Sequence, residues 1–252
     1  TDPSTATLTI NIGNSTPQIG GLTPLAEGGD TVVNEKGLPQ GSGEVLDPAL
    51  DSDTSERNTG SFTITSPDGI SKLTIQGQDI SAAALLNSGT TPVTVPTPLG
   101  NTLTITGYNA ATGVVSYSYT LLAGETHTSA GTDSIFDNMT VTVTDTDNET
   151  SAPGTLSVKI IDDVPTAVAP EHATLSNGAG AATSFDLDTN VVGAINSYGA
   201  DGPGTVRFDA ALNGTTGKAD GGADLKSAGQ PIVYTVSVDG LTLVGHAGST
   251  TG

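Results

Sequence analysis

Cysteine is absent from the 252-residue chain, which removes disulfides, thiolate metal sites and cysteine nucleophiles together. Tryptophan is absent too, methionine occurs once and aromatic residues make up only 4%, so any core has to be assembled from Val, Ile, Leu and Ala. Basic residues are scarce: 7 Lys and Arg stand against 27 Asp and Glu, a formal charge of −20. A surface that negative repels phosphate backbones and anionic headgroups, which argues against nucleic acid and membrane insertion and for divalent cations as partners. No apolar run reaches the ~18 residues of a membrane span, and the N-terminus lacks the basic and apolar regions of a signal peptide. The chain starts at Thr1 without Met and stops at Gly252 just after a hairpin, so it reads as an excised fragment whose secretion signal would lie outside it.

High charge with low hydrophobicity also describes disordered chains, but here the apolar residues are patterned. Alternation with a two-residue period, the signature of strands with one buried face, runs through Leu8, Ile10 and Ile12, then Phe62 and Ile64, then Leu73 and Ile75. It continues in Leu103 and Ile105, in Tyr117, Tyr119 and Leu121, in Met139, Val141 and Val143, and in Leu156, Val158 and Ile160. Asp68-Gly69, Asn109 to Gly113 and Asp239-Gly240 are turn signals, because Gly, Asn and Asp tolerate positive φ. Only residues 79–87 look helical, with Asp79 or Ser81 placed to cap the helix. The fold class expected is all-β, built of antiparallel β-sandwich modules with that one short helix.

An internal echo sets the module length. Thr7-Leu8-Thr9-Ile10-Asn11-Ile12 followed by Pro17 has the spacing of Thr155-Leu156-Ser157-Val158-Lys159-Ile160 followed by Pro165. The offset is that of one immunoglobulin-sized sandwich. Residues 1–13 therefore read as the last strand of a preceding module, 14–165 as one complete Ig-like module, and 166–252 as a second, truncated β module. In the second module Val206 and Phe208 alternate, and a hairpin runs from Ile232 through Gly245 with Ile232, Tyr234, Val236 and Val238 on one face.

The stretch Val158 to Ala167, with Ile161-Asp162-Asp163-Val164-Pro165 at its centre, resembles the inter-module junction of giant repetitive adhesins exported by type I secretion, the repeat-in-toxin adhesins. Val33-Asn34-Glu35-Lys36-Gly37-Leu38-Pro39 and Tyr198-Gly199-Ala200-Asp201-Gly202-Pro203-Gly204 resemble their repeats as well. The resemblance implies tandem Ig-like modules that extend a protein from the bacterial cell surface into the extracellular space. It also implies calcium at or near the joints, neighbouring modules as partners, and a parent protein that serves cell adhesion and biofilm formation.

The carboxylates are gathered as such a role requires. Calcium takes six to eight oxygen ligands, and loops rich in Asp supply them. Three clusters qualify as metal sites: Asp145, Asp147 and Glu149, which alternate along one loop; Asp162 and Asp163 at the joint; and Asp51 and Asp53, with Asp47 and Glu56 nearby. The first lacks the Gly and terminal Glu of an EF-hand. Pairing of 139–144 with 155–161 puts Asp145–Glu149 and Asp162-Asp163 at opposite ends of a hairpin, ~23 Å apart for seven residues of strand. They are expected to form two sites at opposite poles, the first near Asn14 and the second completed by Asp51, Asp53 or Asp201.

An enzyme is not expected. His127, His172 and His246 are scattered and read as surface or strand residues, and there is no nucleophile elbow, phosphate loop or zinc motif. The second functional reading is a module that binds glycan or peptide, suggested by the helix and prolines between Asp79 and Pro98. A surface glycosidase is the third and weakest, because the acids cluster in turns rather than among aromatic sugar platforms.

Overall fold

A computed structural model describes residues 4–10, 13–23, 28–45, 47, 50–129, 131–165, 198–202, 205–219 and 221–248. The chain divides into two compact units, 1–202 and 203–252, each described by itself.

In the first unit the strands are β1 (Gln18–Gly20), β2 (Thr31–Asn34), β3 (Arg57–Thr65), β4 (Ile70–Ile75), β5 (Gln78–Ser81), β6 (Val93–Pro96), β7 (Thr102–Asn109), β8 (Val114–Thr120), β9 (Ser134–Asp145) and β10 (Gly154–Ile161). They form two five-stranded sheets, ordered β1-β3-β8-β7-β6 and β2-β10-β9-β4-β5. The alternating residues named from the sequence in β3, β4 and β7 to β10 all bury into one core shared by both sheets. Each fully buried Leu or Ile contributes roughly 1.5–3 kcal/mol relative to exposure, which is how a core almost without aromatics suffices.

The turns follow the expected chemistry. Between β7 and β8 the Asn109 carbonyl accepts from Gly113 N–H at 2.8 Å, and the Asn109 side chain accepts from Ala111 N–H at 3.0 Å. Gly113 has φ +73° and a side chain there would strike the Ile64 carbonyl, so only glycine fits. Asp68-Gly69 joins β3 to β4, with Gly69 at φ +84°.

Four local expectations are corrected. The sheet containing β2 is mixed: β2 runs parallel to β10, Thr31 opposite Val158 and Asn34 opposite Ile161. A long-range contact holds it there: Asp30 clamps the start of β2 onto the edge of β10, accepting from Ser157 N–H at 2.7 Å while its own N–H donates to the Ser157 carbonyl at 2.7 Å. The helix, α1 (Ala82–Asn87), is shorter than 79–87, since residues 78–81 are taken by pairing of β5 with β4; Ser81 caps it by accepting from Ala84 N–H at 3.2 Å. Asp79 is no cap but a strand residue paired with Lys72 at 2.7 Å. Residues 4–10 form no strand, and Leu8 and Ile10 are 83% and 71% exposed, because alternation makes a strand only where a neighbour supplies the ladder.

The second unit contains β11 (Lys226–Ser227), β12 (Gln230–Val236) and β13 (Leu243–Ala247) in one antiparallel sheet. The expected hairpin is there, with Gly240 at φ +72° in its turn. Val238, however, falls in the turn and is fully exposed, and Val206 and Phe208 lie outside any strand. Among the described residues this unit has no buried hydrophobic side chain of its own.

Candidate functional site

β9 and β10 pair antiparallel from Val141 opposite Gly154 to Ser134 opposite Ile161. Asp145 therefore ends β9 at one pole, while Asp133 and Asp162 meet at the other, where Asp162 N–H donates to the Asp133 carbonyl at 3.1 Å. The 12 residues of β9 separate these poles by ~40 Å. Each pole carries three side chains able to hold a divalent cation, with ligand atoms within 4.8 Å of one another: Asp68, Asp145 and Asp147 at one, Glu35, His127 and Asp162 at the other.

At the first pole the loop after β9 is a closed turn rather than an extended run. Asp145 N–H donates to the Glu149 carbonyl at 3.0 Å, Glu149 N–H donates to the Asp145 carboxylate at 2.8 Å, and Asn148 has φ +73°. The turn breaks the two-residue period, so Glu149 joins the group through its backbone, while Asp68 arrives from the β3–β4 turn, held by β4 against β9. Burial first, and then the neighbouring Asp147, pushes the Asp145 carboxyl above its usual range. Asp147 is held below it by its hydrogen bond with Asp145 and then by that with Asn14, which puts Asn14 where the sequence placed it. Among the described residues Asp145 Oδ2 and Glu149 Oε2 are buried without a hydrogen-bond partner. Every donor atom in this cluster is a carboxylate oxygen, a hard set of the kind that divalent cations take.

At the second pole Glu35 begins a 3-10 turn directly after β2, and parallel pairing of β2 with β10 carries it beside Asp162. His127 comes from the loop between β8 and β9. Its ring is 5% exposed, with Nε2 3.2 Å from Glu35 Oε1 and Nδ1 hydrogen-bonded to Asp133, so it is neither a surface nor a strand residue. Burial opposes the charged ring, but the hydrogen bonds to Asp133 and Glu35 outweigh it and raise the His127 pKa. Burial also raises Glu35 and Asp162 above the ordinary carboxylate range. Glu35 Oε2 and Asp162 Oδ1 have no hydrogen-bond partner among the described residues.

The remaining expected residues divide. Asp163 accepts from Ser42 N–H at 2.6 Å and from the Ser42 hydroxyl, fixing the segment after β10 to the loop after β2. Asp201 shares with Asp162, Asp163 and His127 an open cleft of about 390 Å³. Asp51 is paired with Arg57, and Asp53 with Lys36 at 3.4 Å. Those two carboxylates are neutralised by organic cations and belong to neither three-member cluster. Glu35, His127 and Asp68 were not expected as ligands. Glu35 lies 92 residues from His127, and only the parallel edge strand unites them.

Comparison with family models, with curated proteins and with solved structures finds no match to this chain.

Proposed function

We propose that this chain is an ion-rigidified extender segment of a large bacterial surface adhesin, an extracellular spacer that supports cell adhesion and biofilm formation rather than an enzyme. The observation that carries the reading is the pair of carboxylate clusters at opposite ends of one sandwich, each with buried oxygens that have no hydrogen-bond partner among the described residues. Unpaired buried carboxylates are costly. A divalent ion removes that cost, and an ion at a module end ties the turns there into one rigid body.

The strand order supports a module of the Ig-like class. Assigning letters A to G to β1, β3, β4, β7, β8, β9 and β10 reproduces the A-B-E-D and C-F-G sheets of that sandwich. Strand β2 is then the return of the first strand to the opposite sheet, and β5 and β6 extend the two edges.

Calcium is the ion we assign to Asp68, Asp145 and Asp147, whose ligands are oxygen alone. Asp162, with Asp163 and Asp201 beside it, sits where the chain leaves the sandwich, so an ion there stiffens the junction with a neighbouring module. Small-angle scattering tests the reading: addition of divalent ions, calcium and zinc, to chelated protein narrows the distribution of lengths without any ligand. A length distribution indifferent to both ions and to chelator contradicts it.

A second reading, a module that binds glycan or peptide, is favoured by one feature. A cleft of about 580 Å³ opens beside α1, lined among others by Leu85, Leu86, Tyr108, Thr65, Ser66 and Thr112. Binding of this fragment on a glycan or peptide array, lost in Tyr108→Ala, would favour that reading over the spacer.

A further inference from the structure

The ligand set at the Asp162 pole does not suit calcium. Calcium prefers oxygen throughout, whereas the buried groups here converge on an imidazole nitrogen. We propose that this pole is a site for a borderline divalent ion of the zinc class, bound by His127 Nε2, Glu35 and Asp162 and oriented by Asp133. The inference rests on the proposed occupancy of the joint by an ion and names which kind of ion it is.

Three independent features support it. The first is the division of labour on the ring. Asp133 takes the Nδ1 side of His127, and Nε2 faces Glu35 Oε1 at 3.2 Å. A metal-binding histidine nearly always donates its second ring N–H to a carboxylate, which fixes the tautomer and presents the other nitrogen's lone pair to the ion.

The second is unsatisfied polarity. Glu35 is 0% exposed and Asp162 9%, and Glu35 Oε2 and Asp162 Oδ1 are both buried without a hydrogen-bond partner among the described residues. Each lone acceptor costs about 1–3 kcal/mol unless something positive meets it. Glu35 Oε1 is already engaged by Glu125 N–H at 2.7 Å, so the free oxygen is the one available to an ion.

The third is reach. The ligand atoms of the three residues lie within 4.8 Å of one another, so shifts of about 1 Å bring all of them to zinc–ligand distances of ~2.0–2.2 Å. The cleft that contains Asp163 and Asp201 provides the way in and room for a fourth ligand, water or a group from a neighbouring module. The cluster of Asp68, Asp145 and Asp147 at the other pole offers oxygen alone and serves as the internal comparison.

The test uses the full 252-residue chain with His172→Gln and His246→Gln, so that His127 is the one imidazole. Chelator-stripped protein is titrated separately with Zn2+ and Ca2+ by calorimetry. Cu2+ is used as a paramagnetic probe of nitrogen ligation. The expected result is one equivalent of Zn2+ bound at least ~10-fold more tightly than Ca2+ at the same pole, following the order of ligand softness, together with nitrogen hyperfine coupling from a single imidazole on bound Cu2+. Asp133→Asn should weaken Zn2+ by roughly 10–100-fold, the usual loss for an outer partner. His127→Gln should weaken it further, while the heat of Ca2+ binding to the Asp145 pole persists.

Absence of nitrogen coupling in the folded chain overturns the proposal even if His127→Gln cannot be prepared folded. Unchanged Zn2+ affinity in a folded His127→Gln overturns it too. Calcium bound at both poles regardless of His127 leaves the extender standing and this assignment fallen, whereas no ion at either pole defeats both.

Discussion

Tyr119 on β8 donates its phenolic hydrogen to Asp137 Oδ2 on β9 at 2.7 Å, a buried bond that ties one sheet to the other. Burial, and then the carboxylate itself, pushes the Tyr119 pKa far up, so this hydroxyl is a permanent donor. The other Asp137 oxygen has no partner among the described residues. Tyr119→Phe thus strands a buried carboxylate and should cost about 1–3 kcal/mol or more in urea denaturation. The double change Tyr119→Phe with Asp137→Asn should cost less than the sum of the single changes, because the two act on one bond. Additive costs would show that the bond contributes nothing.

Leu73 and Leu8 follow the same alternating pattern in the sequence but have opposite fates: Leu73 is fully buried and Leu8 exposed. Leu73→Ala should lower stability by about 2–5 kcal/mol, and Leu8→Ala should stay within ~0.5 kcal/mol. A comparison of denaturation midpoints at constant slope distinguishes them.

At the first pole the ligand atoms of Asp68, Asp145 and Asp147 lie within 4.8 Å of one another, and like charges that close are unfavourable when no cation lies between them. Asp145→Asn or Asp68→Asn should raise the melting temperature measured in chelator and abolish the rise that calcium produces in the parent chain. The two effects have opposite signs, so a general loss of packing cannot imitate them.

The pH dependence of the ion-free protein should be inverted relative to an ordinary acidic protein. Glu35 and Glu56 have pKa values raised from 4.5, and Asp145 and Asp162 from 3.8, burial being the first cause in each case. A raised carboxyl holds its proton longer folded than unfolded, so stability falls as pH climbs through that window. His127 is raised from 6.5, so its contribution is complete below that value and is lost as pH rises above it, in the same direction. Asp53, Asp79 and Asp133 are lowered from 3.8, so they lose their contribution only on acidification below that region. In chelator, melting temperature should therefore rise between pH 7.5 and pH 5.5, and saturating divalent ion should cancel or reverse the trend.

The strands, the Asn109 and Asp68 turns and the opposition of two acidic ends were legible because each depends on neighbours in sequence: a two-residue period, a positive φ, a hairpin register. The parallel β2–β10 pair was not. Its cause is Asp30 reaching Ser157 across 127 positions, and no local pattern reports such a bond. The same long step hid Glu35, which parallel pairing delivers to Asp162, and with it the role of His127. A signal was present nonetheless, since the loop from Ala123 to Asp133 contains no large apolar residue yet carries Glu125, His127 and Asp133. Glu149 was grouped by alternation alone, which a tight turn at Asn148 does not respect.

A thermal melt of the full chain, with calcium in large excess and again in chelator, bears most directly on whether ions hold the ends of this sandwich. Binding at ~100-fold above the dissociation constant stabilises by about 2.7 kcal/mol, which for a chain of this size is a rise of roughly 5–10 °C. The account predicts a rise of that size, lost in Asp145→Asn. Superimposable melts in the two solutions would contradict it.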